Sequence, residues 1–290
     1  MKKIIILIPV FNDWESLVKL LNEINNSIQG IEKCQFNCIV INDSSTVSQP
    51  QISKPSNIES LKIINMKENK GHARCNAFGI RHINKNETFD YAILMDGDGE
   101  DRPIEIRDLV SRILIEPEIS VVAKRIKRSE GPIFQSMYQI HKFITYIFTG
   151  KKINFGNYSC LTKQDINYLS ENASLWSSYS GSVKKNLKKL NEINSIRGIR
   201  YFGPSKMSFL SLLIHSFAII AVFKNQVFLR SSFAIIVLSF LNSFFGTYSI
   251  ILQILLIIFN LLIFIVSLRE KERDFFESHQ NVLNKIQIKH

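Results

Sequence analysis

Tyr91-Ala-Ile-Leu-Met-Asp-Gly-Asp-Gly-Glu-Asp-Arg-Pro103 is the stretch from which the rest of this chain can be read. Residues 91–95 form a short apolar run bounded by turn residues, the pattern of a buried strand. The run delivers Asp96 and Asp98 to the strand's carboxyl end, where ligands sit in open α/β sheets. Glu100 follows two residues on. Carboxylates at this spacing suit a hard divalent cation, Mg²⁺ or Mn²⁺, that keeps a substrate phosphate as co-ligand. Gly97 and Gly99 let the backbone turn tightly beside a ligand. A lone D-x-D also occurs in solvated acidic turns, so the flanking sequence has to decide.

On the amino-terminal side, residues 4–9 read as a first strand rather than a leader, because the apolar run is short and meets Asn12, Asp13 and Glu15. Asn12-Asp-Trp-Glu15 reads as a capping box, opening a helix with Leu17, Leu20, Leu21 and Ile24 on its apolar face. Residues 36–41 are a second strand, ending in the polar turn Asn42-Asp-Ser-Ser-Thr46. Residues 61–64 are a third. Asn69-Lys-Gly-His-Ala-Arg74 opens a helix that runs to about Ile83. After the acidic stretch, Pro103 starts another helix, and residues 121–123 are a fifth strand. This alternation predicts a doubly wound α/β domain with a mostly parallel sheet. The chain has no G-x-G-x-x-G after strand one and no G-x-x-x-x-G-K-[ST], which argues against dinucleotide and P-loop sites.

The net charge of +11 calls for an anionic partner. Without a zinc pattern, RNA-binding motif or basic helical stripe, nucleic acid is excluded in favour of phosphorylated substrates or an anionic membrane. Cys34, Cys38, Cys75 and Cys160 form no C-x-x-C pair and read as buried, reduced thiols. Residues 231–268 contain no Asp, Glu, Lys, Arg or His. One straight helix there would be about 57 Å long, nearly twice the hydrocarbon thickness of roughly 30 Å. Two spans with a turn at 242–247 fit better. Lys224 and Arg230 before, and Arg269, Lys271 and Arg273 after, put both ends in the cytoplasm. A buried hairpin of a soluble domain is the alternative. Residues 209–223 are apolar with a stripe of Ser208, Ser211 and His215, as in a helix lying in the membrane interface; a short span or core helix is the alternative.

Five segments, in order, resemble family 2 glycosyltransferases of the GT-A fold. Ile8-Pro-Val-Phe-Asn-Asp13 resembles I-P-x-Y-N-E, Ile41-Asn-Asp-Ser-Ser-Thr46 resembles V-D-D-G-S-T, and Asn69-Lys-Gly-His-Ala-Arg74 resembles the N-x-G-x-x-x-A segment. Met95-Asp-Gly-Asp-Gly-Glu-Asp-Arg-Pro103 resembles D-A-D-L-Q-x-P-P, and Arg200-Tyr-Phe-Gly-Pro-Ser-Lys206 resembles R-x-x-G-x-S-K. The last two forms are those of the dolichyl-phosphate mannose synthase and bacterial polyprenyl-phosphate glycosyltransferase subgroup. Asn42, Ser44, Glu100, Arg102 and Asn157 depart from the usual residues.

The resemblance implies a cytoplasmic GT-A domain over 1–204, an interfacial helix over 205–226, two transmembrane helices over 227–268 and a cytoplasmic tail over 269–290, in the inner membrane. It implies that Pro9, Phe11, Asp13, Asn42, Asp43, Gly71 and Arg74 hold a UDP- or GDP-hexose. Asp96, Asp98 and Glu100 would hold the metal on the diphosphate. Arg125, Arg128, Arg200 and Lys206 would serve the phosphates, Arg125 and Arg200 catalytically. The implied reaction is inverting transfer of a hexose to polyprenyl phosphate. An ionised acceptor phosphate needs guiding cations and no base. A hydroxyl acceptor on a lipopolysaccharide or capsule intermediate would need a carboxylate such as Asp101 or Asp165. A non-catalytic membrane scaffold is the reading from another class. Short paired spans also offer a route to homo-oligomers.

Overall fold

A computed structural model of the chain describes residues 1–127, 132–204 and 208–288, apart from the side chains of 127, 132–135, 137, 138 and 209. Arg128 and Lys206, expected at the phosphates, lie outside the described residues.

The first half alternates β1 (Lys2–Val10), α1 (Trp14–Ile28), β2 (Cys34–Asn42), β3 (Ile58–Met66), α2 (His72–Asn86), β4 (Tyr91–Leu94), α3 (Ile106–Ile115) and β5 (Val121–Lys127). Then follow α4 (Pro132–Thr149), β6 (Phe155–Thr162), α5 (Lys163–Ser170), α6 (Tyr179–Asn186) and β7 (Asn191–Ile196). The remainder is α7 (Phe209–Ala221), α8 (Lys224–Phe240), α9 (Asn242–Phe245), α10 (Thr247–Ser267), α11 (Glu272–Phe276) and β8 (Val282–Ile288).

One eight-stranded sheet has the order β7-β5-β6-β4-β1-β2-β3-β8. The core β4-β1-β2-β3 is parallel, while β6 joins β4 and β5 antiparallel and β8 joins β3 antiparallel. β1 reads as a continuous apolar run because helices cover both faces of the sheet. Ile4, Ile6 and Ile8 pack with Leu17, Leu21 and Ile24 of α1 and with Leu109 and Ile113 of α3. Ile5 and Leu7 join Phe78 and Ile80 of α2, Ile166 of α5 and Phe275 of α11 on the other face. All four cysteines are buried and unpaired.

The capping box does not form. Asn12 adopts a positive φ of 51°, and its side-chain oxygen accepts from the amides of Thr46 and Val47 at 2.8 and 3.1 Å. Asp13 takes the cap position instead. Asn12 thus ties the β1–α1 corner to the turn after β2.

A separate apolar unit gathers Ile220 and Ala221 of α7, Val227 of α8 and Ile263 of α10, with Ile144 and Phe148 of α4 against it. α8 and α10 run antiparallel. Ser231 Oγ donates to Asn260 Oδ1 at 2.8 Å, and Ser249 Oγ to the Leu238 carbonyl at 2.7 Å. Thr247–Phe276, which contains α10, is long and apolar enough to cross a membrane; only 11% of its most apolar window is buried. α8 passes that test only together with α7, from which it bends by 85°. Within the stretch expected as a tail over 269–290, residues 282–288 form β8 and return to the sheet.

Candidate active site

β1, β2 and β4 end side by side, which brings the Asn12–Asp13 corner, the turn after Asn42 and the 96–101 loop to one edge of the sheet. The loop is a compact turn. Asp98 Oδ1 accepts from the Glu100 amide at 3.0 Å, and Asp101 Oδ2 from the Asp96 amide at 2.9 Å. A Cβ on Gly97 would come 2.9 Å from the Pro9 carbonyl, so the loop sits directly on the β1 corner. Gly99 has φ +89°, and a Cβ there would meet the Tyr201 ring at 2.5 Å. Glycine is the residue that suits both demands.

The segment after β7 lies across this loop. The Gly198 amide donates to the Glu100 carbonyl at 2.8 Å and the Tyr201 amide to the Asp98 carbonyl at 3.0 Å. Tyr201 Oη donates to Glu23 Oε2 on α1 at 2.5 Å. This placement lets two arginines reach the carboxylates. Arg200 donates to Asp98 Oδ2 at 2.8 Å and also to Asp13. Arg197 donates to Glu100. Arg125 on β5 lies 4.0 Å from Asp101.

Asp96 is held from the other side. His72 Nε2 lies 2.9 Å from Asp96 Oδ1, and Asn157 Nδ2 donates to the same oxygen at 3.1 Å. Burial raises the Asp96 pKa, but His72, Arg125 and Asn157 outweigh it and hold the carboxyl below its ordinary value. Burial, then Asp96 and Glu100, push Asp98 above the ordinary range. Burial followed by Asp96 does the same to Asp101. Burial alone would lower His72, yet Asp96, Asp98 and Asp101 together raise it. The loop is therefore an acidic knot under cationic cover.

Among the described residues no three His, Cys, Asp or Glu side chains converge as a metal cage. Glu100 pairs with Arg197 in this structure, apart from Asp96 and Asp98. Two carboxylates remain. They fit a cation such as Mg²⁺, which uses one or two protein carboxylates and completes its shell with phosphate oxygens and water.

The other expected donor-site residues form a second ring. Pro9 is buried and Phe11 exposed at the end of β1. Asp43 is 3% exposed, and its two oxygens accept from the amides of Lys70 and Gly71 at 2.9 and 2.8 Å. It therefore shapes the loop leading into α2. Gly71, with φ +90°, caps that helix. Asn42 Oδ1 accepts from the Ser45 amide at 3.0 Å. Arg74 is pushed down to about 10 by burial and then by Arg269, against Asp43 and Asp274.

Asp165 is a different case. Thr162 pairs with Tyr91, so α5 starts at the amino end of β4, opposite Asp96, and Asp165 accepts from Ser120 there. It cannot serve a hydroxyl at the acidic loop. Sequence reasoning gave no role to His72 or Arg197, although both lie within or beside the quoted motifs. A histidine directly after the cap glycine of α2 was the available signal.

A parallel-cored sheet with an acidic loop at the carboxyl end of β4 and an antiparallel strand beside it is the GT-A fold. The chain belongs to glycosyl transferase family 2, whose model matches residues 5–172. It is 26% identical over 218 residues to the undecaprenyl-phosphate 4-deoxy-4-formamido-L-arabinose transferase of Proteus mirabilis, covering 73% of this chain and 64% of that protein. The protein of the same name from Klebsiella pneumoniae strain 342 is 25% identical, with the same coverage. The chain thus spans under two thirds of the length of these curated relatives. Among solved structures, the mannosyl-3-phosphoglycerate synthase of Rubrobacter xylanophilus aligns with a TM-score of 0.57 at 12% identity, covering 80% of this chain and 75% of that one. The Mycobacterium tuberculosis glucosyl-3-phosphoglycerate synthase, solved with Mn²⁺, UDP-glucose and phosphoglyceric acid, aligns with a TM-score of 0.52 at 13% identity, covering 78% and 80%. At such identities the likeness concerns the fold alone.

Proposed function

We propose that this chain is an inverting glycosyltransferase that moves a hexose from a UDP- or GDP-sugar to polyprenyl phosphate at the cytoplasmic face of the inner membrane. The observation that carries the reading is the Asp96–Asp98 pair, covered by Arg200, flanked by Arg125 and His72, and built in the same chain as an exposed apolar helical unit. Asp96 and Asp98 would hold a Mg²⁺ or Mn²⁺, which would neutralise charge on the diphosphate. Arg200 would move from Asp98 onto an entering phosphate, and its contact with Asp98 and that of Arg125 with Asp101 support this reading.

In the transfer, an oxygen of the acceptor phosphate attacks the anomeric carbon. The bond from that carbon to the diphosphate breaks, and the nucleoside diphosphate leaves with the electron pair. No proton has to be removed. Asn157 on Asp96, the remote Asp165, and an Asp101 that is 4% exposed and holds the Asp96 amide all favour an ionised acceptor over a hydroxyl. α10 and α8 are read as the two spans, with α7, bent 85° from α8, lying along the membrane surface. The return of β8 to β3 supports placing both ends of the hairpin on the side of the sheet.

The test is incubation of the full-length protein, in lipid nanodiscs with Mg²⁺ or Mn²⁺, with undecaprenyl phosphate and a panel of UDP- and GDP-sugars. The panel includes UDP-4-deoxy-4-formamido-L-arabinose, a pentose donor, because the relatives carry that sugar in their names; product from that donor alone would overturn the hexose part of the proposal. One donor should yield a lipid-linked sugar of inverted configuration; no product from any donor overturns the proposal.

A further inference from the structure

We propose that Asn284 of the carboxyl-terminal strand is a positioning residue for the nucleotide-binding turn, acting through a row of three asparagine amides. This rests on the reading of the turn after β2 as part of the donor site.

Asn42 and Asn65 are register partners on β2 and β3, and Asn65 and Asn284 are partners on β3 and β8. Their side chains form one line. Asn42 Nδ2 donates to Asn65 Oδ1 at 2.8 Å, and Asn65 Nδ2 donates to Asn284 Oδ1 at 2.6 Å. The direction of the row is imposed from the turn. The Ser45 amide can only donate, so Asn42 must present its oxygen to it, at 3.0 Å. That leaves the Asn42 NH₂ for Asn65, and the Asn65 NH₂ for Asn284. Asn284, at the exposed end of the row, supplies the acceptor.

A second link runs in parallel. The Asn281 carbonyl accepts from the Lys67 amide at 2.7 Å, and Asn281 Oδ1 from the Glu68 amide at 3.1 Å. Lys67 also offers its carbonyl to Ser44 Oγ at 3.1 Å, and Lys70 and Gly71 bind Asp43. Ser44 has φ +58°, so this turn is held in an uncommon conformation by its bonds. The carboxyl-terminal strand therefore braces both sides of the turn that carries Asn42 and Asp43. It reaches the turn 14 residues after the end of α10, through α11, whose Phe275 is buried in the core.

Asn284→Leu removes the acceptor, whereas Asn284→Asp keeps one at the same place. The full-length protein and both variants are titrated by calorimetry with UDP, with GDP and with pyrophosphate, each in the presence of Mn²⁺. Asn284→Leu should weaken the nucleoside diphosphate that the unmodified protein binds by about threefold to tenfold, the range of one neutral hydrogen bond. Pyrophosphate affinity should stay within about twofold, because the acidic loop is untouched, and Asn284→Asp should restore nucleotide affinity. Unchanged nucleotide binding in Asn284→Leu, an equal loss for pyrophosphate, or no rescue by Asn284→Asp each overturns the inference alone. If the unmodified protein binds neither UDP nor GDP, the donor-site reading falls and takes this inference with it.

Discussion

Replacing Arg200 by alanine should have opposite effects on metal binding and on turnover. Its guanidinium bridges Asp98 and Asp13, and the three side chains are only 14–19% exposed. Each charge-assisted bond of this kind is worth about 1.5–3 kcal/mol. In the free enzyme Arg200 competes with a cation for Asp98, so its removal should tighten Mn²⁺ binding without nucleotide, by roughly tenfold. In the proposed reaction the Arg200 guanidinium faces the leaving diphosphate, and losing that interaction at about 2–3 kcal/mol should lower kcat/KM by roughly 30- to 150-fold. Arg200→Lys keeps the charge but cannot span both carboxylates, and should fall between. Metal titration by calorimetry and initial rates with the active donor check both halves. A variant with turnover within about threefold of the unmodified enzyme, or with weakened metal binding, would refute the reasoning.

Gly99→Ala forces a Cβ onto the Tyr201 ring at a φ of +89°, and should lower stability by about 1–3 kcal/mol while disabling turnover; a thermal scan alongside the rate assay reads both. Glu100→Gln should cost far less activity than Asp98→Asn, because Glu100 serves Arg197; equal losses would restore Glu100 as a metal ligand. His82 is pushed down to about 4, first by burial and then by Lys285, with Lys62 adding and Glu87 opposing. Since the folded state resists protonating it, its contribution is intact above about pH 6.5 and is lost as pH falls toward 4, up to about 3 kcal/mol. The midpoint of thermal unfolding should therefore fall less between pH 7.5 and 5 in His82→Gln than in the unmodified protein.

Strands β1 to β5 were legible because each carries a buried apolar run, whereas β6, internal to the sheet but interrupted by Gly156, Asn157 and Ser159, was not. The edge strands were not. Asn191-Glu-Ile-Asn-Ser-Ile is polar and partly exposed, Val282-Leu-Asn-Lys-Ile-Gln-Ile is largely exposed, and β8 owes its place to a partner more than 200 residues earlier in the chain. The acidic loop was legible from its spacing together with its flanking sequence, but its wiring was not. Glu100 turns to Arg197 because the segment after β7 crosses the loop, which no local pattern announces. Asn12 looked like a helix cap and became a tie between two turns, since the Thr46 and Val47 amides claim its oxygen. The apolar character of the tail was visible from its charge-free run, and one of its helices is long and apolar enough to cross a membrane, whereas the 85° bend between α7 and α8 goes with packing against α4 and α6.

The account stands most directly on titration of UDP and GDP into the full-length protein, with Mn²⁺ and after its removal by EDTA, alongside Asp98→Asn. Binding of one nucleotide should tighten at least tenfold with the metal, and that gain should vanish in the variant. Nucleotide affinity indifferent to the metal, or a gain that survives Asp98→Asn, would contradict the claim that the acidic loop grips a cation to neutralise a departing diphosphate.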